Sequence, residues 1–249
     1  MYVKNIENKV SNYKQDYIQF MDIESFPEYI LQTKEASLSV ADSKGFDTAA
    51  TTFYNADTDR HTLIVSTNLE LPKYLIFHEF THILDTELYA KGDKVKYAQL
   101  SGYTEYHASQ IELMQMLGAN KWSQQIEFSM KDIVGTFSGK KTVQEYLDIK
   151  WYHAVELFGR SDFPANIEML KTAFGVLFNF YGLQSICELY ATDYSKHCGS
   201  PVFSKFIPTH LHSMMNALMH GWFNKGQIEI CEKLYINIIY LLIQDYKLA

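Results

Sequence analysis

The stretch LIFHEFTHILD, residues 75–85, places His78 and His82 four positions apart with Glu79 between them, in a largely apolar run. On a helix, residues four apart lie on one face with Cβ atoms about 5 to 6 Å apart, so two imidazoles can bind one metal ion. Glu79 lies one position round the helix, where a carboxylate reaches a metal-bound water without becoming a ligand. The pattern predicts a zinc site with Glu79 as the general base of a hydrolysis. A buried helix with two hydrogen-bonded histidines is the alternative.

The sequence before the motif predicts a strand pair that leads into a helix. Residues 51–54 and 61–67 are rich in Thr and Val and are separated by the turn cluster NADTDR, which is typical of a β-hairpin. Pro72 suits the first turn of a helix, because a missing N–H costs no hydrogen bond there. The helical pattern then continues over residues 73–89, so the motif lies in the middle of a helix.

The remaining sequence predicts one more strand region and many helices. Apolar residues at helical spacing predict an amphipathic helix over residues 1–20, and a Ser- and Val-rich stretch from about residue 36 predicts a strand. A second helix after the motif is expected to begin near Ser101, which is a good N-cap residue. From about residue 120 onward, only helical patterns follow, punctuated by Gly and Pro.

A catalytic zinc usually has three protein ligands and one open position, so a third donor is needed. Residues 83–93 contain no His, which excludes the spacing of the three-histidine enzymes. Glu105 and Glu112 are both candidates, because both lie in the second predicted helix. Asp85, three residues after His82, is a candidate to accept the N–H of a ligand histidine, and a solvated helix position is its alternative.

The motif and its downstream glutamate resemble the ImmA/IrrE group of short gluzincin metallopeptidases. The likeness lies in HEFTH, in the hairpin before it, and in the E-x-x-A pattern EYHA that begins with Glu105, 23 residues after His82. It covers roughly residues 45–116, and the chain then departs from the family by lacking a proline-containing end to the glutamate helix. The resemblance implies that His78, His82 and Glu105 bind zinc. It also implies that Glu79 is the catalytic base and that the substrate is a peptide or protein.

These patterns together predict an α+β protein with two parts. Residues 1–120 are expected to form a zincin-like metallopeptidase domain with a small antiparallel sheet, an active-site helix and a glutamate helix. Residues 121–249 are expected to form an all-helical domain or extension. GTFSGKK, residues 135–141, is the best linker candidate, and a boundary anywhere from residue 119 to 141 fits the sequence. A peptide would lie extended along the edge strand, predicted as residues 61–67 or its hairpin partner.

Transition-state stabilisation needs a donor aimed at the developing oxyanion, normally from outside the motif helix. Four side chains are candidates, and spacing singles out none of them: Tyr103, Tyr106, His107 and His153.

Composition excludes several other function classes. A net charge of −7 argues against a nucleic-acid partner, and no run of 18 apolar residues predicts a membrane span. The first 20 residues lack the apolar region and cleavage site of a signal peptide, so a cytoplasmic protein is expected. Cys187, Cys198 and Cys231 are odd in number and widely spaced, which favours free thiols over disulfides or a thiolate zinc site.

Two other functions stay open at this point. One is a zinc-containing binding or regulatory protein that holds a partner in a peptidase-like groove without cutting it. The other is a helical interaction protein that contains no metal, in which the two histidines are ordinary core residues.

Overall fold

Within residues 2–35, 49–196 and 200–248, which the computed structural model describes, the fold is a mixed α+β arrangement. The helices are α1 (Tyr2–Met21), α2 (Lys73–Tyr89), α3 (Lys94–Met116), α4 (Val143–Gly159), α5 (Ile167–Tyr190), a 3₁₀ turn (Phe203–Lys205), α6 (Thr209–Leu218) and α7 (Lys225–Tyr246). The strands are β1 (Tyr29–Lys34), β2 (Ala50–Asn55), β3 (Arg60–Ser66), β4 (Ile133–Thr136) and β5 (Gly139–Thr142). The predicted α+β class is confirmed. So are the helix over residues 1–20, the hairpin and the motif helix.

The main sheet is mixed, so the prediction of a purely antiparallel sheet is wrong. β3 pairs antiparallel with β2 and parallel with β1, in the order β1-β3-β2. β3 is therefore a central strand, and β2 is the edge strand on the side of the motif helix. The sequence of β1, YILQTK, shows no alternation of apolar and polar residues, so no local pattern predicts this strand. The strand predicted from about residue 36 lies mostly outside the described residues.

The motif helix α2 begins directly after Pro72, as predicted, and is buried along most of its length. α1 covers one side of it. The ring of Tyr17 packs edge-on against Phe77 and Phe80, at centroid distances of 5.1 and 5.5 Å. The hydroxyl of Tyr17 also lies 3.0 Å from Thr81 Oγ1, in the middle of the motif. These contacts explain why the residues between the histidines are apolar or hydrogen-bonded.

Helix α3 begins at Lys94, two turns before the predicted start at Ser101. Asp93 is its N-cap, and its carboxylate accepts hydrogen bonds from the backbone N–H groups of Val95 and Lys96. Ser101 lies inside the helix, where its hydroxyl donates to the carbonyl of Tyr97 at 3.5 Å. The predicted start was wrong because Ser101 was chosen as the N-cap, whereas Asp93 caps the helix one residue before Lys94.

The second half of the chain is not all-helical, and residues 135–141 are not a linker. They form most of the β4–β5 hairpin, whose tight turn uses Gly139 at a φ of 107°. The hairpin is attached to the motif helix, because the backbone N–H of Phe137 donates to the Tyr74 hydroxyl at 2.6 Å. The hairpin leads directly into α4, whose first turn carries a capping box formed by Thr142 and Glu145.

Helices α3 and α5 pack closely because glycine lies at their contact. A Cβ added at Gly182 would overlap the backbone carbonyl of Tyr106. Beside this contact, Ser109 Oγ donates to Asn179 Oδ1 at 2.7 Å and Gln110 Nε2 donates to Ser185 Oγ at 2.8 Å. Gly182 therefore does not end a helix, as its position between two helical patterns suggested, but allows one continuous helix to approach another.

One cluster of buried side chains extends through both halves of the chain. It includes Phe80 of α2, Tyr106 of α3, Leu147 of α4 and Phe178 of α5. Elements on both sides of residue 120 thus share a core, and a division into two domains there stays a prediction.

Two expectations from composition concern the helices and the cysteines. Within the described ranges, no helix combines the length and apolar character needed to cross a bilayer. Cys187 and Cys231 are buried free thiols, and burial raises the pKa of the Cys187 thiol to about 12. Cys198 lies outside the described residues.

Gly182→Ala is expected to destabilise the protein by about 3 kcal/mol, because the added methyl group meets backbone that cannot move aside. Gly159→Ala is the matched control: it is also a helical glycine, and the nearest atom to its added Cβ is 4.0 Å away. The control should change stability by no more than about 1 kcal/mol. Urea unfolding measures both variants, and equal effects would contradict the close-contact explanation.

Candidate metal centre

A cleft of about 330 Å³ lies along β2, which is an edge strand of the sheet among the described residues, above the motif helix. Its walls come from β2, β3, α2 and α3, and α5 contributes one residue. The lining residues include Thr51, Thr52, Phe53, His61, His78, Glu79, His82, Tyr97, Glu105 and Asn179. The cleft is open on one side to solvent and is closed on the other by the core, which is the usual shape of a binding site for a small ligand or a peptide segment.

His78, His82 and Glu105 converge in this cleft, and together they could hold a metal ion. Glu105 Oε2 lies 3.6 Å from His78 Nε2 and 3.8 Å from His82 Nε2. One donor atom from each residue lies within 4.8 Å of the other two. The helix α2 supplies both imidazoles from successive turns, and the neighbouring helix α3 supplies the carboxylate. The structure thus brings together the three residues that the sequence predicted as metal ligands.

The other nitrogen of each imidazole is already engaged. His78 Nδ1 lies 2.7 Å from Glu112 Oε2, and His82 Nδ1 lies 2.9 Å from Thr104 Oγ1. With Nδ1–H donating to these oxygens, each Nε2 is left with a lone pair that points toward Glu105. Metal-binding histidines in proteins are typically held in this way.

The donor set fits zinc. Two imidazole nitrogens and one carboxylate oxygen are the ligands of many catalytic zinc sites, and they leave one coordination position open. Tetrahedral bonds of about 2.0 to 2.1 Å place donors roughly 3.3 Å apart. The distances of 3.6 and 3.8 Å from Glu105 to the two imidazoles are slightly longer, so closing on an ion requires only small side-chain movements.

The sequence did not decide the roles of Glu112 and Asp85, and the structure shows what each carboxylate contacts. Glu112 contacts the Nδ1 side of His78 and so lies outside the group of converging donors. Asp85 is only 1% exposed, so it is not a solvated residue. Its carboxylate accepts from His107 Nδ1 at 2.9 Å and not from a ligand histidine. Asp85 was considered as the acceptor of a histidine N–H in the motif. Glu112 and Thr104 are the groups that lie next to Nδ1 of His78 and His82.

Glu79 lies beside the converging donors and lines the same cleft. The hydroxyl of Thr52 donates to Glu79 Oε2 at 2.8 Å, which ties the carboxylate to the edge strand β2. Because Glu79 follows His78 directly, its side chain leaves the helix on an adjoining face and is not part of the donor group. The carboxylate is therefore available to accept a proton from a molecule bound next to the donors.

The charges of the centre depend on one another. Burial alone would lower the pKa of His78, but hydrogen bonds and charges from Glu105 and Glu112 raise it well above its usual value. Burial alone would likewise raise the pKa of Glu105, but the positive charges of His82 and His78 hold it far below its usual value. Because a metal ion binds only an unprotonated imidazole nitrogen, metal binding and protonation of His78 would compete.

The predicted candidates for transition-state stabilisation lie elsewhere. Among the described residues that line the cleft, Tyr103, Tyr106, His107 and His153 do not occur. The Tyr106 hydroxyl donates to the carbonyl of Gly221 at 2.6 Å, and His107 stacks on Tyr103 at 5.5 Å. The three candidates of α3 thus face the core and the α7 side of that helix.

Two residues that the sequence analysis missed line the cleft beside Glu105. Tyr97 lies two turns before Glu105 on α3, in a stretch predicted to be a connection. Asn179 comes from α5 and lines the cleft, and it helps to lower the pKa of the Glu105 carboxyl. An Asp N-cap at residue 93 was the available signal for Tyr97, whereas no local signal identifies Asn179.

Comparisons with models of protein families, with curated proteins and with solved structures found no match. The resemblance to the ImmA/IrrE group therefore rests on the motif residues themselves. The function has to be argued from the chemistry of the site.

Purified protein reconstituted with zinc is expected to hold about one ion per chain, and Glu105→Gln is expected to lose it, because an amide is a poor zinc ligand. Glu87→Gln is the control, since Glu87 is a carboxylate on the same helix as the histidines but outside the donor group. Metal content by mass spectrometry measures all three proteins. Retention of zinc by Glu105→Gln would contradict the ligand assignment.

Proposed function

We propose that the protein is a zinc-dependent metallopeptidase that hydrolyses a peptide bond with Glu79 as the general base. The observation that carries this proposal is the convergence of His78, His82 and Glu105 next to Glu79 in an open cleft. A zinc-binding site alone would not need a free carboxylate beside it. A hydrolase does, because the attacking water has to lose a proton.

Zinc bound by these three residues would acidify a water molecule and polarise the substrate carbonyl. Glu79 accepts the proton of the attacking water, and Thr52 holds its carboxylate in place for that transfer. Glu79 then delivers the proton to the leaving amine, since the same group serves as base and acid in successive steps. Glu112 and Thr104 keep the imidazoles oriented throughout.

Tyr97 is proposed to donate a hydrogen bond to the oxyanion, because it lines the cleft on the same helix as Glu105. Burial raises the pKa of its phenol, with smaller contributions from the charges of Glu105 and Glu79. The phenol therefore stays protonated at neutral pH and remains a donor. A donor already fixed in the cleft stabilises developing charge without reorganisation.

The substrate is proposed to be an extended peptide that pairs with β2. β2 is the sheet edge that lines the cleft, and its partner β3 is paired on both sides. An extended segment of protein can add to such an edge through main-chain hydrogen bonds. Phe53, which is 59% exposed, lies on this edge within the cleft and offers an apolar surface to a substrate side chain.

The arrangement also supports a zincin-like description of the N-terminal part. A small sheet, a motif helix under its edge strand and a second helix with the glutamate ligand are all present. The parallel addition of β1 is compatible with this description, because β1 pairs with β3 and not with β2.

Glu79→Gln is expected to abolish hydrolysis while zinc stays bound, since the amide cannot accept the proton and none of the three ligands changes. Cleavage of a complex peptide mixture, with new termini identified by mass spectrometry, tests this on many peptide sequences at once. Glu87→Gln serves again as the control and should cleave like the wild type. Full activity in Glu79→Gln would refute the mechanism, and zinc binding without any cleavage by the wild type would favour the non-cutting groove protein.

Tyr97→Phe is expected to lower kcat by about 10²- to 10³-fold with little change in KM, because the lost hydrogen bond forms only in the transition state. Tyr152→Phe is the control, as Tyr152 is 67% exposed on α4 and does not line the cleft. Steady-state kinetics on a peptide found by the cleavage screen measures both. An unchanged kcat in Tyr97→Phe would remove Tyr97 from the mechanism.

A further inference from the structure

Tyr146, in the part of the chain after residue 120, contacts the carboxylate that holds His78. We propose that Tyr146 is a positioning residue for the metal centre and acts through Glu112 to keep His78 in the orientation and tautomer that metal binding requires. This inference rests on the proposed metal site. It does not depend on whether the protein cuts peptides.

The carboxylate of Glu112 has one partner on each oxygen. Oε2 accepts from His78 Nδ1 at 2.7 Å, and Oε1 accepts a short hydrogen bond from the Tyr146 hydroxyl. All three side chains are buried: Glu112 is 1% exposed, His78 8% and Tyr146 7%. A chain of three largely buried side chains thus leads from the cleft to α4.

The direction of the hydrogen bonds determines what this chain does. Tyr146 can only donate to a carboxylate, so Glu112 stays an acceptor and His78 must donate its Nδ1–H. In a neutral His78, Nε2 then carries the lone pair, and this tautomer is the one that binds a metal ion. Without the phenol, Oε1 would be a buried carboxylate oxygen that lacks the Tyr146 donor, and the side chain would gain by turning away from His78.

The backbone around Tyr146 fixes the phenol in place. Tyr146 lies in the first turn of α4, directly after the capping box, and the β4–β5 hairpin before it is attached to Tyr74 of the motif helix. The ammonium of Lys150 lies 5.6 Å from the centre of the Tyr146 ring, so its charge also faces Glu112. The part of the chain after residue 120 therefore contributes directly to the arrangement of the donors.

Tyr146→Phe tests the inference, because it removes only the hydroxyl. We expect its zinc affinity, measured by competition with a chromophoric chelator, to fall about 10- to 100-fold, as for other partners of metal-binding histidines. Tyr181→Phe is the matched control. Tyr181 is 5% exposed, and its hydroxyl also has a side-chain partner, Asn216 Oδ1 at 3.0 Å, which lies away from the cleft. The control should lose stability to a similar extent and keep its zinc affinity.

A second readout separates positioning from general loosening. The visible absorption of the cobalt-substituted protein reports the ligand geometry, and it should shift in Tyr146→Phe and stay unchanged in Tyr181→Phe. Zinc affinity of Tyr146→Phe within threefold of that of Tyr181→Phe, with the same cobalt spectrum, would overturn the inference.

Glu112→Gln provides an independent variant of almost equal volume if Tyr146→Phe does not fold. We expect its zinc affinity to fall by about tenfold, because a neutral amide holds the imidazole N–H less strongly than a carboxylate. An unchanged affinity would overturn the inference as well. Zinc binding by the wild type without peptide cleavage would refute only the proposed function, so the two failures are distinguishable.

Discussion

The pairing of His78 with two carboxylates, Glu105 and Glu112, is the interaction on which the arrangement of the helices depends. Glu112 is almost fully buried, and so is His78, so each group would be costly to bury alone. Placed together between α2 and α3, the groups supply each other with charge and hydrogen bonds. The packing of the motif helix against the glutamate helix is therefore determined by polar groups as well as by the apolar core around them.

The polar centre is surrounded by apolar contacts that keep it in one geometry. Tyr17 and the phenylalanines of α2 hold the motif helix from one side, and α5 holds the glutamate helix from the other through glycine contacts. Close packing of this kind leaves few alternative side-chain positions. Donor atoms within a few ångström of one another are the result, and such pre-arranged donors need little reorganisation to bind a ligand.

Residues with local signals were predicted well from the sequence. His78, Glu79 and His82 lie on two successive turns of α2, and Pro72 directly precedes that helix. Glu105 was predicted as a ligand from the E-x-x-A pattern and the family resemblance, and in the structure it lies beside the two histidines. Strands β1, β4 and β5 were missed because strand pairing stabilises them, and pairing partners are distant in sequence. Asn179 and Tyr146 were missed for a similar reason, since only the folded chain brings them near the centre, whereas Tyr97 was missed because the Asp93 N-cap was overlooked.

The contributions of α4 and α5 have a consequence for synthesis on the ribosome. Proteins emerge from the amino terminus, and early segments often begin to fold before later ones exist. The two histidines and Glu105 emerge first, but Tyr146 and Asn179, which contact Glu112 and Glu105, emerge much later. Until α4 and α5 have been made, the carboxylates of α3 lack their contacts with Tyr146 and Asn179. A nascent chain can thus carry every donor of the centre long before the centre has its final shape.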